Sequence, residues 1–443
     1  MSTVTRPEIS AADRRRVNFA STIGTTVEFY DFYAYATASV AVFPYLFFAK
    51  TSDPTMALLQ SFATFGLAFV ARPLGSIVFG HFGDKVGRKA TLVGALLTMG
   101  IATVIIGCLP TYNQIGIWAP ALLALMRFCQ GLGLGGEWSG AALLSSEYST
   151  PGNRAQAAMW PQLGAPFGFF LSNGLFLILV ASLGYNLGDT TGSFMVWGWR
   201  VPFLLSAVMV IIGLYVRVHL EETPVFQETL DNNEQVDAPL SEVFRTSWRA
   251  LIQGTFVMVG TYTLFYLVTT WILSFGIAES GLHFPYLNFL EIQLLTIFGF
   301  MAGIPIAARL ADNWGRRPTL GWTTVAIIVF GFTFKMFLNP ATATKASVGL
   351  FLVIGMFLMG MIFGPMSAAL PELFPTNVRY TGSGIAYNVS SILGAAVAPF
   401  IATALTAKHG VQSVGWYLVI VSVISLLAIL TMAEHKDDDI SQL

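Results

Sequence analysis

The chain has 443 residues, of which 55% are hydrophobic and only 11% are charged, and its formal net charge is −1. Soluble domains carry about 25% charged residues, so this composition predicts an integral membrane protein. The nearly neutral net charge gives no indication of the basic surface by which proteins bind nucleic acid.

The apolar residues form twelve runs, each long enough to supply the roughly 20 residues that a helix needs to cross a bilayer. They predict an all-α membrane protein with twelve transmembrane helices. In the first half the predicted spans are Val17–Phe48, Met56–Phe79, Ala90–Leu109, Ile117–Ser145, Ala155–Leu183 and Trp199–Leu220. In the second half they are Ala250–Gly276, Leu287–Ala311, Pro318–Leu338, Ser347–Leu370, Tyr380–Ala407 and Ser413–Met432.

A long polar segment, Glu221–Arg245, follows the sixth span. It divides the chain into a six-helix bundle at 1–220, a linker at 221–249 and a second six-helix bundle at 250–443. Lysine and arginine concentrate in alternate connections, beginning with the N-terminal segment. Because basic loops stay in the cytoplasm, we expect both termini on the cytoplasmic side of the cell membrane.

Two charged connections share one pattern, with an aspartate, a glycine and two basic residues at the same spacing. Gly83-Asp84-Lys85-Val86-Gly87-Arg88-Lys89 follows the second span, and Ala311-Asp312-Asn313-Trp314-Gly315-Arg316-Arg317 follows the eighth. A glutamate and an arginine seven residues apart also repeat, as Glu147 with Arg154 and as Glu372 with Arg379. Repeats in the same order indicate an internally duplicated membrane protein with two pseudo-symmetric halves.

These turns resemble those of the major facilitator superfamily. Further stretches are similar to its metabolite:proton symporter branch, whose members carry α-ketoglutarate, citrate, shikimate or proline/betaine. They are Glu28-Phe29-Tyr30-Asp31-Phe32, Arg72-Pro73-Leu74-Gly75, Arg127-Phe128-Cys129-Gln130-Gly131, Gly135-Gly136-Glu137-Trp138, Trp197-Gly198-Trp199-Arg200-Val201-Pro202-Phe203 and Glu372-Leu373-Phe374-Pro375-Thr376-Asn377-Val378-Arg379. The resemblance covers essentially the whole chain, although Ala308 stands where the first turn has Gly80. It implies two bundles that rock about a substrate site in the middle of the membrane.

The resemblance also implies a cytoplasmic gate, in which charges of the repeated turns hold the two halves together in one conformation. The alternative is that these turns are ordinary loops that set the orientation of the chain. The gate residues would be Gly83, Asp84, Gly87, Arg88, Glu147, Arg154, Asp312, Gly315, Arg316, Glu372 and Arg379.

Several ionisable residues lie inside predicted spans, where each costs about 2.5–3.5 kcal/mol to insert. Glu28 and Asp31 share a face of the first span, and Arg127 of the fourth span lies at a similar depth. Arg72 and Glu137 lie nearer the cytoplasmic side. We therefore predict that Arg127 pairs with Glu28 or Asp31, and that Arg72 pairs with Glu137. The three carboxylates are candidate proton carriers, and the alternative is a set of static ion pairs between helices.

Two intramembrane arginines favour a substrate with a carboxylate, although the nearby acids could neutralise both. The candidate substrate-binding residues are Arg72, Arg127, Gln130, Tyr35, Tyr262, Tyr266 and Asn388. Arg200 lies just inside the predicted outer mouth. It either draws anions inward or anchors the chain at the interface beside two tryptophans.

The glycine-rich sequence Gly131-Leu132-Gly133-Leu134-Gly135-Gly136 matches a dinucleotide-binding fingerprint but lies within a predicted membrane helix. Its small residues are interpreted as a close helix contact. Cys108 and Cys129 lie in apolar runs with no histidine or cysteine nearby, which argues against a metal site or a disulfide bond. Because the sequence also contains no P-loop and no catalytic cluster, we expect neither enzyme activity nor a cofactor.

The sequence therefore favours a monomeric secondary transporter that moves a small organic acid or zwitterion together with protons by alternating access. An exporter or an uncoupled facilitator on the same scaffold is the alternative. A membrane sensor is disfavoured because no sizeable soluble output domain is recognisable. A channel would usually form an oligomeric pore, whereas two repeated halves can enclose a cavity alone.

Overall fold

The computed structural model describes residues 11–49, 54–86, 88–135, 145, 152–218, 239–375 and 378–438. Twelve long helices dominate these parts of the chain. They are α1 (Ala11–Ala41), α2 (Pro54–Val86), α3 (Arg88–Cys108), α4 (Trp118–Leu134), α5 (Arg154–Leu183), α6 (Val201–Val218), α7 (Trp248–Ile277), α8 (Tyr286–Trp314), α9 (Arg316–Gly331), α10 (Lys345–Glu372), α11 (Arg379–Ser391, Ile392–Ala396 and Ala398–His409) and α12 (Gln412–Leu430). Short helices lie at Phe43–Leu46, Tyr112–Ile115, Ser193–Val196, Gly198–Arg200, Pro239–Thr246 and Phe334–Leu338.

Each predicted span corresponds to one of these helices, so the prediction of an all-α protein with twelve membrane helices is confirmed. Within the described residues, eight helices are long and apolar enough to cross a bilayer by length and composition, namely α2, α5, α6, α7, α8, α10, α11 and α12. Helix α3 is apolar over Val93–Cys108. Helices α4 and α9 have 17 and 16 described residues, and α1 combines sufficient length with buried charged residues.

The helices pack in two bundles with the same internal arrangement. In the first bundle α1 packs on α5 and α6, α2 packs on α4, and α3 packs on α4 and α6. In the second bundle α7 packs on α11 and α12, α8 packs on α10, and α9 packs on α10 and α12. Each pair therefore recurs six helices later, which is the pseudo-symmetry that the repeated turns predict.

The two bundles meet through α2 against α11 and through α5 against α8 and α10. Helices α7 and α11 each contain one π-helical turn, at Leu267–Trp271 and Ile392–Ala396. Such turns widen a helix locally and are frequent at functional sites. The π-helical turn of α11 packs directly on α2, so it lies in the contact between the bundles.

The first charged connection differs from the turn that the sequence predicts. The backbone is helical up to Val86 and again from Arg88, so only residue 87 separates α2 from α3. The sequence places the end of this span at Phe79 because charges begin soon afterwards. Charged residues fit a helix that extends beyond the apolar layer, so the helix continues for almost two more turns.

The second charged connection has the same design. Helix α8 ends at Trp314 and α9 begins at Arg316, with Gly315 at φ 113° between them. A side chain is strained at this backbone angle, and a Cβ here would lie 2.6 Å from the Glu434 carboxylate. Glycine is therefore favoured at this junction by its backbone angle.

The glycine-rich part of α4 forms the close helix contact that the sequence predicts. A Cβ on Gly131 would lie 2.3 Å from the Ala68 carbonyl oxygen of α2, and one on Gly133 would lie 2.6 Å from the Ala95 carbonyl oxygen of α3. Real Cβ atoms do not approach backbone oxygens this closely. The glycines therefore allow α4 to pack between α2 and α3 at backbone contact.

We predict that Gly131→Ala lowers the thermal stability of the purified protein, because the added methyl group forces α2 and α4 apart. Overpacking of this kind costs about 1–3 kcal/mol. Gly174→Ala in α5 is the matched control, since no atom lies within 4 Å of a Cβ at that position. Equal unfolding temperatures for the two variants in detergent would contradict the packing argument.

Candidate functional site

A small cavity lies where α1 and α2 of the first bundle face α7, α10 and α11 of the second. The first bundle contributes Glu28, Phe29, Phe32 and Arg72, and the second contributes Thr261, Tyr262, Phe265, Tyr266, Met359, Phe363 and Tyr387. The space open to the centre of a water molecule is about 10 Å³, close to the minimum that holds one water. We call this space the central cavity. In this conformation it is closed around at most a molecule the size of water.

The charged pair in the central cavity is Glu28 with Arg72. The Arg72 Nη2 atom lies 2.9 Å from Glu28 Oε1, and the two residues are 3% and 1% exposed. The rings of Phe32, Phe69 and Tyr387 lie with their centres 5.4–5.9 Å from the guanidinium carbon. The pair is therefore enclosed by aromatic faces, a setting that favours a cation.

This geometry corrects the predicted pairing of Arg72 with Glu137. Helix α2 runs from Pro54 to Val86, so Arg72 lies near its middle and level with Glu28 rather than near one end. The error arose because the predicted span ended at Phe79. Glu137 itself lies outside the described residues.

Asp31 belongs to a chain of hydrogen bonds. The Thr103 hydroxyl donates to Asp31 Oδ2 at 3.0 Å, and the Gln130 side-chain amide donates to the same hydroxyl oxygen at 2.8 Å. The Arg127 Nη1 atom donates to Gln130 Oε1 at 2.5 Å. All four residues are at most 1% exposed. A continuous polar connection therefore links a carboxylate of α1 to a guanidinium of α4.

Arg127 makes no direct ion pair with Glu28 or Asp31, although the structure describes all three side chains. This corrects the predicted pairing: Glu28 contacts Arg72, and Asp31 reaches Arg127 through two intervening side chains. The Arg127 Nε atom donates to the Phe65 carbonyl oxygen at 3.3 Å, and its guanidinium lies 4.0 Å from the ring centre of Tyr35. Its Nη2 atom has no hydrogen-bond partner among the described residues.

The predicted substrate-binding residues divide into two groups. Arg72, Tyr262 and Tyr266 line the central cavity. Arg127 and Gln130 belong to the hydrogen-bond chain, and the Tyr35 ring stacks on Arg127 while its hydroxyl donates to Thr64 at 3.1 Å.

Asn388 is not in the cavity lining. Its side-chain amide donates to the Ser76 hydroxyl at 2.8 Å and to the Gly135 carbonyl oxygen at 3.0 Å. Since Asn388 lies in α11 and Ser76 in α2, these bonds join the two bundles.

Sequence reasoning missed Thr103 and Tyr387. Thr103 lies in an apolar run, where a lone threonine carries no signal of function, and its role depends on residues of two other helices. Tyr387 lies three residues after Gly384 and one before the predicted Asn388, on a different face of α11. Both residues become recognisable only when the helices are packed.

A second site, which we call the charged end, contains Arg154, Asp312, Arg316 and Glu372. The Glu372 carboxylate lies 3.3 Å from Arg154 Nη1 and 3.0 Å from Arg316 Nε, and Arg316 Nη1 lies 3.2 Å from Asp312 Oδ1. All four side chains are at most 5% exposed. Arg154 belongs to the first half and the other three to the second, so this cluster joins the bundles.

Asp312 also accepts hydrogen bonds from the first turn of α5. The backbone amides of Ala155 and Gln156 each donate to its carboxylate at 3.0 Å. The first amides of a helix have no partners within the helix, and the helix dipole places partial positive charge there. The C-terminal end of α8 therefore holds the N-terminal end of α5 across the boundary between the halves.

The segment after α12 adds contacts that the sequence did not suggest. The Glu434 carboxylate accepts the backbone amides of Arg316 and Arg317, at the start of α9, at 3.0 and 2.8 Å. Arg154 Nη2 donates to the carbonyl oxygens of His435, Lys436 and Asp438 at 2.7–3.0 Å. This segment, Glu434–Asp438, therefore contacts both bundles.

The remaining predicted gate residues have mixed outcomes. Gly83, Asp84 and Arg88 lie in helical backbone, but their side chains are outside the described part of the structure. Gly87 and Glu147 lie entirely outside the described residues. Arg379 Nε donates to the carbonyl oxygens of Pro371 and Phe374 at 3.2 and 3.1 Å. The gating role itself stays a prediction.

The two bundles also meet at the end of the molecule opposite the charged end. The rings of Tyr185, after α5, and Tyr286, at the start of α8, lie 4.7 Å apart, and the Tyr185 hydroxyl donates to the Ala41 carbonyl oxygen at 2.9 Å. Arg200 lies at this end, where it donates to the carbonyl oxygens of Gly107 and Leu109 at 2.8 and 2.7 Å. These bonds satisfy carbonyl oxygens at the end of α3 and just after it, which favours the anchoring alternative for Arg200.

Comparison with known proteins identifies this architecture. The sequence profile of the Major Facilitator Superfamily matches residues 23–394. This chain belongs to the Major Facilitator Superfamily. Over 426 residues it is 53% identical to the inner membrane metabolite transport protein YhjE of Escherichia coli (strain K12), covering 96% of this chain and 95% of YhjE. Over 441 residues it is 35% identical to the shikimate transporter of the same organism, covering 98% of both chains.

The fold matches a solved structure as well. The structure of the proton:xylose symporter XylE bound to 6-bromo-6-deoxy-D-glucose superposes with a TM-score of 0.72 over 98% of this chain and 99% of XylE, at 15% sequence identity. Such a likeness shows the fold alone. Together with the family, it establishes a multi-pass membrane transporter of metabolites and not an enzyme.

We predict that Glu28→Gln and Arg72→Gln each destabilise the protein more than their combination does. Removal of one partner leaves the other charge buried and uncompensated, which costs about 3–5 kcal/mol, whereas removal of both leaves two neutral amides. A double-mutant cycle on thermal unfolding in detergent measures this coupling. Additive effects would show that the pair does not interact as the distance indicates.

We also predict that Glu434→Ala lowers the unfolding temperature, because the first two amides of α9 lose their acceptor. Loss of such a helix cap costs about 0.5–2 kcal/mol. Asp437→Ala is the matched control, since its side chain is 84% exposed and lies 3.9 Å from Lys436 Nζ. If both variants unfold at the wild-type temperature, the Glu434 contacts do not stabilise the fold.

Proposed function

We propose that this protein is a proton-coupled symporter of a small organic acid or zwitterion that works by alternating access. The observation that carries the proposal is the arrangement of charges around the central cavity. One carboxylate, Glu28, is held by a guanidinium in the cavity. A second carboxylate, Asp31, lies one helical turn away and is held by neutral hydrogen-bond donors.

Asp31 is the proton carrier in this proposal. Glu28 lies 2.9 Å from Arg72, and a direct cation stabilises its ionised form. Asp31 is 1% exposed and has no cation within ion-pair distance among the described residues. A buried carboxylate without a direct counter-charge is the group that gains most from taking up a proton. Glu137 is not assigned a role.

Arg72 is the proposed contact for the substrate. A substrate carboxylate entering the central cavity would compete with Glu28 for the Arg72 guanidinium, which offers several donors in one plane. The Arg72 Nε atom has no hydrogen-bond partner within the described part of the chain, so one donor is available without breaking a bond. The side of the cavity that the second bundle contributes is mostly aromatic and suits recognition of the shape of the substrate.

Alternating access requires the contacts between the bundles at the two ends to break in turn. We propose that the charged end faces the cytoplasm, as the distribution of basic residues favours. The cluster of Arg154, Asp312, Arg316 and Glu372 then acts as a cytoplasmic latch between rigid bundles at 1–220 and 250–443. Since one chain encloses the whole cavity, a monomer suffices for this mechanism.

Proton movement in proteoliposomes tests the function. The purified protein is reconstituted with a pH-sensitive dye inside, and shikimate, other small carboxylates and betaines are added outside one at a time. Symport predicts that at least one compound acidifies the interior of the liposomes. It also predicts that the same compound accumulates against its gradient. Labelled substrate that equilibrates without proton movement would instead identify an uncoupled facilitator.

We predict that Asp31→Asn abolishes substrate-dependent acidification while it retains exchange of labelled for unlabelled substrate across the membrane. The amide keeps the size and the acceptor for Thr103 but cannot take up a proton. Exchange needs only the substrate-bound transitions, so its survival shows that the variant is folded and functional. If the Asp31→Asn variant shows the same substrate-dependent acidification as the wild type, Asp31 is excluded as the proton carrier.

A further inference from the structure

The Thr103 hydroxyl lies at the junction of three helices. Its oxygen is 3.0 Å from Asp31 Oδ2 of α1, 2.8 Å from Gln130 Nε2 of α4, and 2.9 Å from the Met99 carbonyl oxygen one turn earlier in α3. The side chain is fully buried. Each of these three contacts therefore matters to the hydrogen-bond balance of the site.

A hydroxyl has one hydrogen to donate and two lone pairs to accept with. Asp31 Oδ2 and the Met99 carbonyl oxygen are both acceptors, so Thr103 can donate to only one of them at a time. When Asp31 is ionised, the charge-assisted bond to the carboxylate is the stronger choice. When Asp31 is protonated, its own hydrogen can go to Thr103, and the Thr103 hydrogen then turns to Met99.

Gln130 makes a hydrogen bond at each end of its side-chain amide. Its Nε2 atom donates to Thr103, while its Oε1 atom accepts from Arg127 Nη1. When the Thr103 hydrogen turns to Met99, one lone pair accepts the Asp31 proton and the other, which accepts from Gln130 Nε2, changes direction with the hydroxyl. Gln130 in turn holds the Arg127 guanidinium. The polar chain thus connects the protonation of one residue to the position of another.

We propose that Thr103 is a positioning residue that couples the protonation of Asp31 to the placement of Arg127. This inference rests on the proposed role of Asp31 as the proton carrier and adds the route by which its state is transmitted. Thr103 itself carries no proton across the membrane. Its hydroxyl only changes the acceptor to which it donates.

Few other side chains around Asp31 could connect its protonation to Arg127. From α6 the Ser206 hydroxyl faces it, from α4 Arg127 acts on it at longer range, and on its own helix Tyr30 lies beside it. The Tyr30 hydroxyl donates to the Pro202 carbonyl oxygen at 2.8 Å. From α2, Arg72 is engaged by Glu28. Thr103 is thus the side chain that bonds Asp31 and continues toward Arg127.

Infrared titration of the purified protein in lipid tests the coupling without a substrate. The carboxyl band that disappears in Asp31→Asn is assigned to Asp31, and its titration midpoint is compared in Thr103→Val, Thr103→Ser and Thr98→Val. Valine keeps the shape of threonine without the hydroxyl. We expect Thr103→Val to raise the midpoint by about one to two pH units, because a hydrogen bond to the ionised form is lost.

Two variants serve as controls. Thr103→Ser restores the hydroxyl and is expected to return the midpoint to that of the wild type. Thr98 lies in the same helix, and its hydroxyl donates to the Gly94 carbonyl oxygen at 2.8 Å. Thr98→Val is therefore expected to leave the Asp31 band unchanged.

Arg127→Gln completes the test. Its effect on the Asp31 midpoint should be large in the wild-type background and clearly smaller in the Thr103→Val background, because the route between the two residues is then broken. An unchanged midpoint in Thr103→Val, or the same Arg127→Gln shift in both backgrounds, would overturn the role of Thr103 alone. A protein in which Asp31→Asn removes no carboxyl band would overturn the proton site and the coupling with it.

Discussion

The ion pair between Glu28 and Arg72 holds α1 against α2 in the middle of the protein, where neither charge could remain alone. Glu28 and Asp31 are three residues apart on α1, so their side chains diverge by about 60° around the helix. One points to α2 and the other to α3. This divergence gives two acids of one helix different partners: a cation for Glu28 and a threonine hydroxyl for Asp31. The proposed division of labour between them follows from that difference.

The two bundles repeat the same helix contacts but not the same chemistry. The first bundle supplies the charged groups of the central cavity, and the second supplies Tyr262, Phe265, Tyr266, Phe363 and Tyr387. Buried charges require fixed partners, whereas aromatic rings bury a large area without such partners. This difference supports the proposal that the first bundle makes the proton and carboxylate contacts and that the second bundle adjusts its shape around a substrate.

The charged end shows how helix ends serve as contacts between bundles. Asp312 accepts the first amides of α5, and Glu434 accepts the first amides of α9. These groups have no partners within their own helices, so a carboxylate from elsewhere in the chain stabilises them.

The fold could be predicted from the sequence because membrane helices are specified locally, by apolar runs of sufficient length. Pairings between helices were predicted less well. The partner of Arg72 was wrong because it depended on where α2 ends, and charges beyond the apolar layer do not end a helix. Thr103 and Glu434 were missed because each acts on residues that are distant in the sequence. Neither residue type is unusual in its own segment.

The measurement that tests this account most directly is an electron cryo-microscopy structure with a transported compound bound. The account predicts density for its carboxylate against Arg72 in the central cavity, with the ring of Tyr266 beside the compound and a longer distance between Arg72 and Glu28. It also predicts that Asp31 keeps its contact with Thr103. A compound bound away from the cavity, or bound there with the Glu28–Arg72 pair unchanged, would contradict the proposed site.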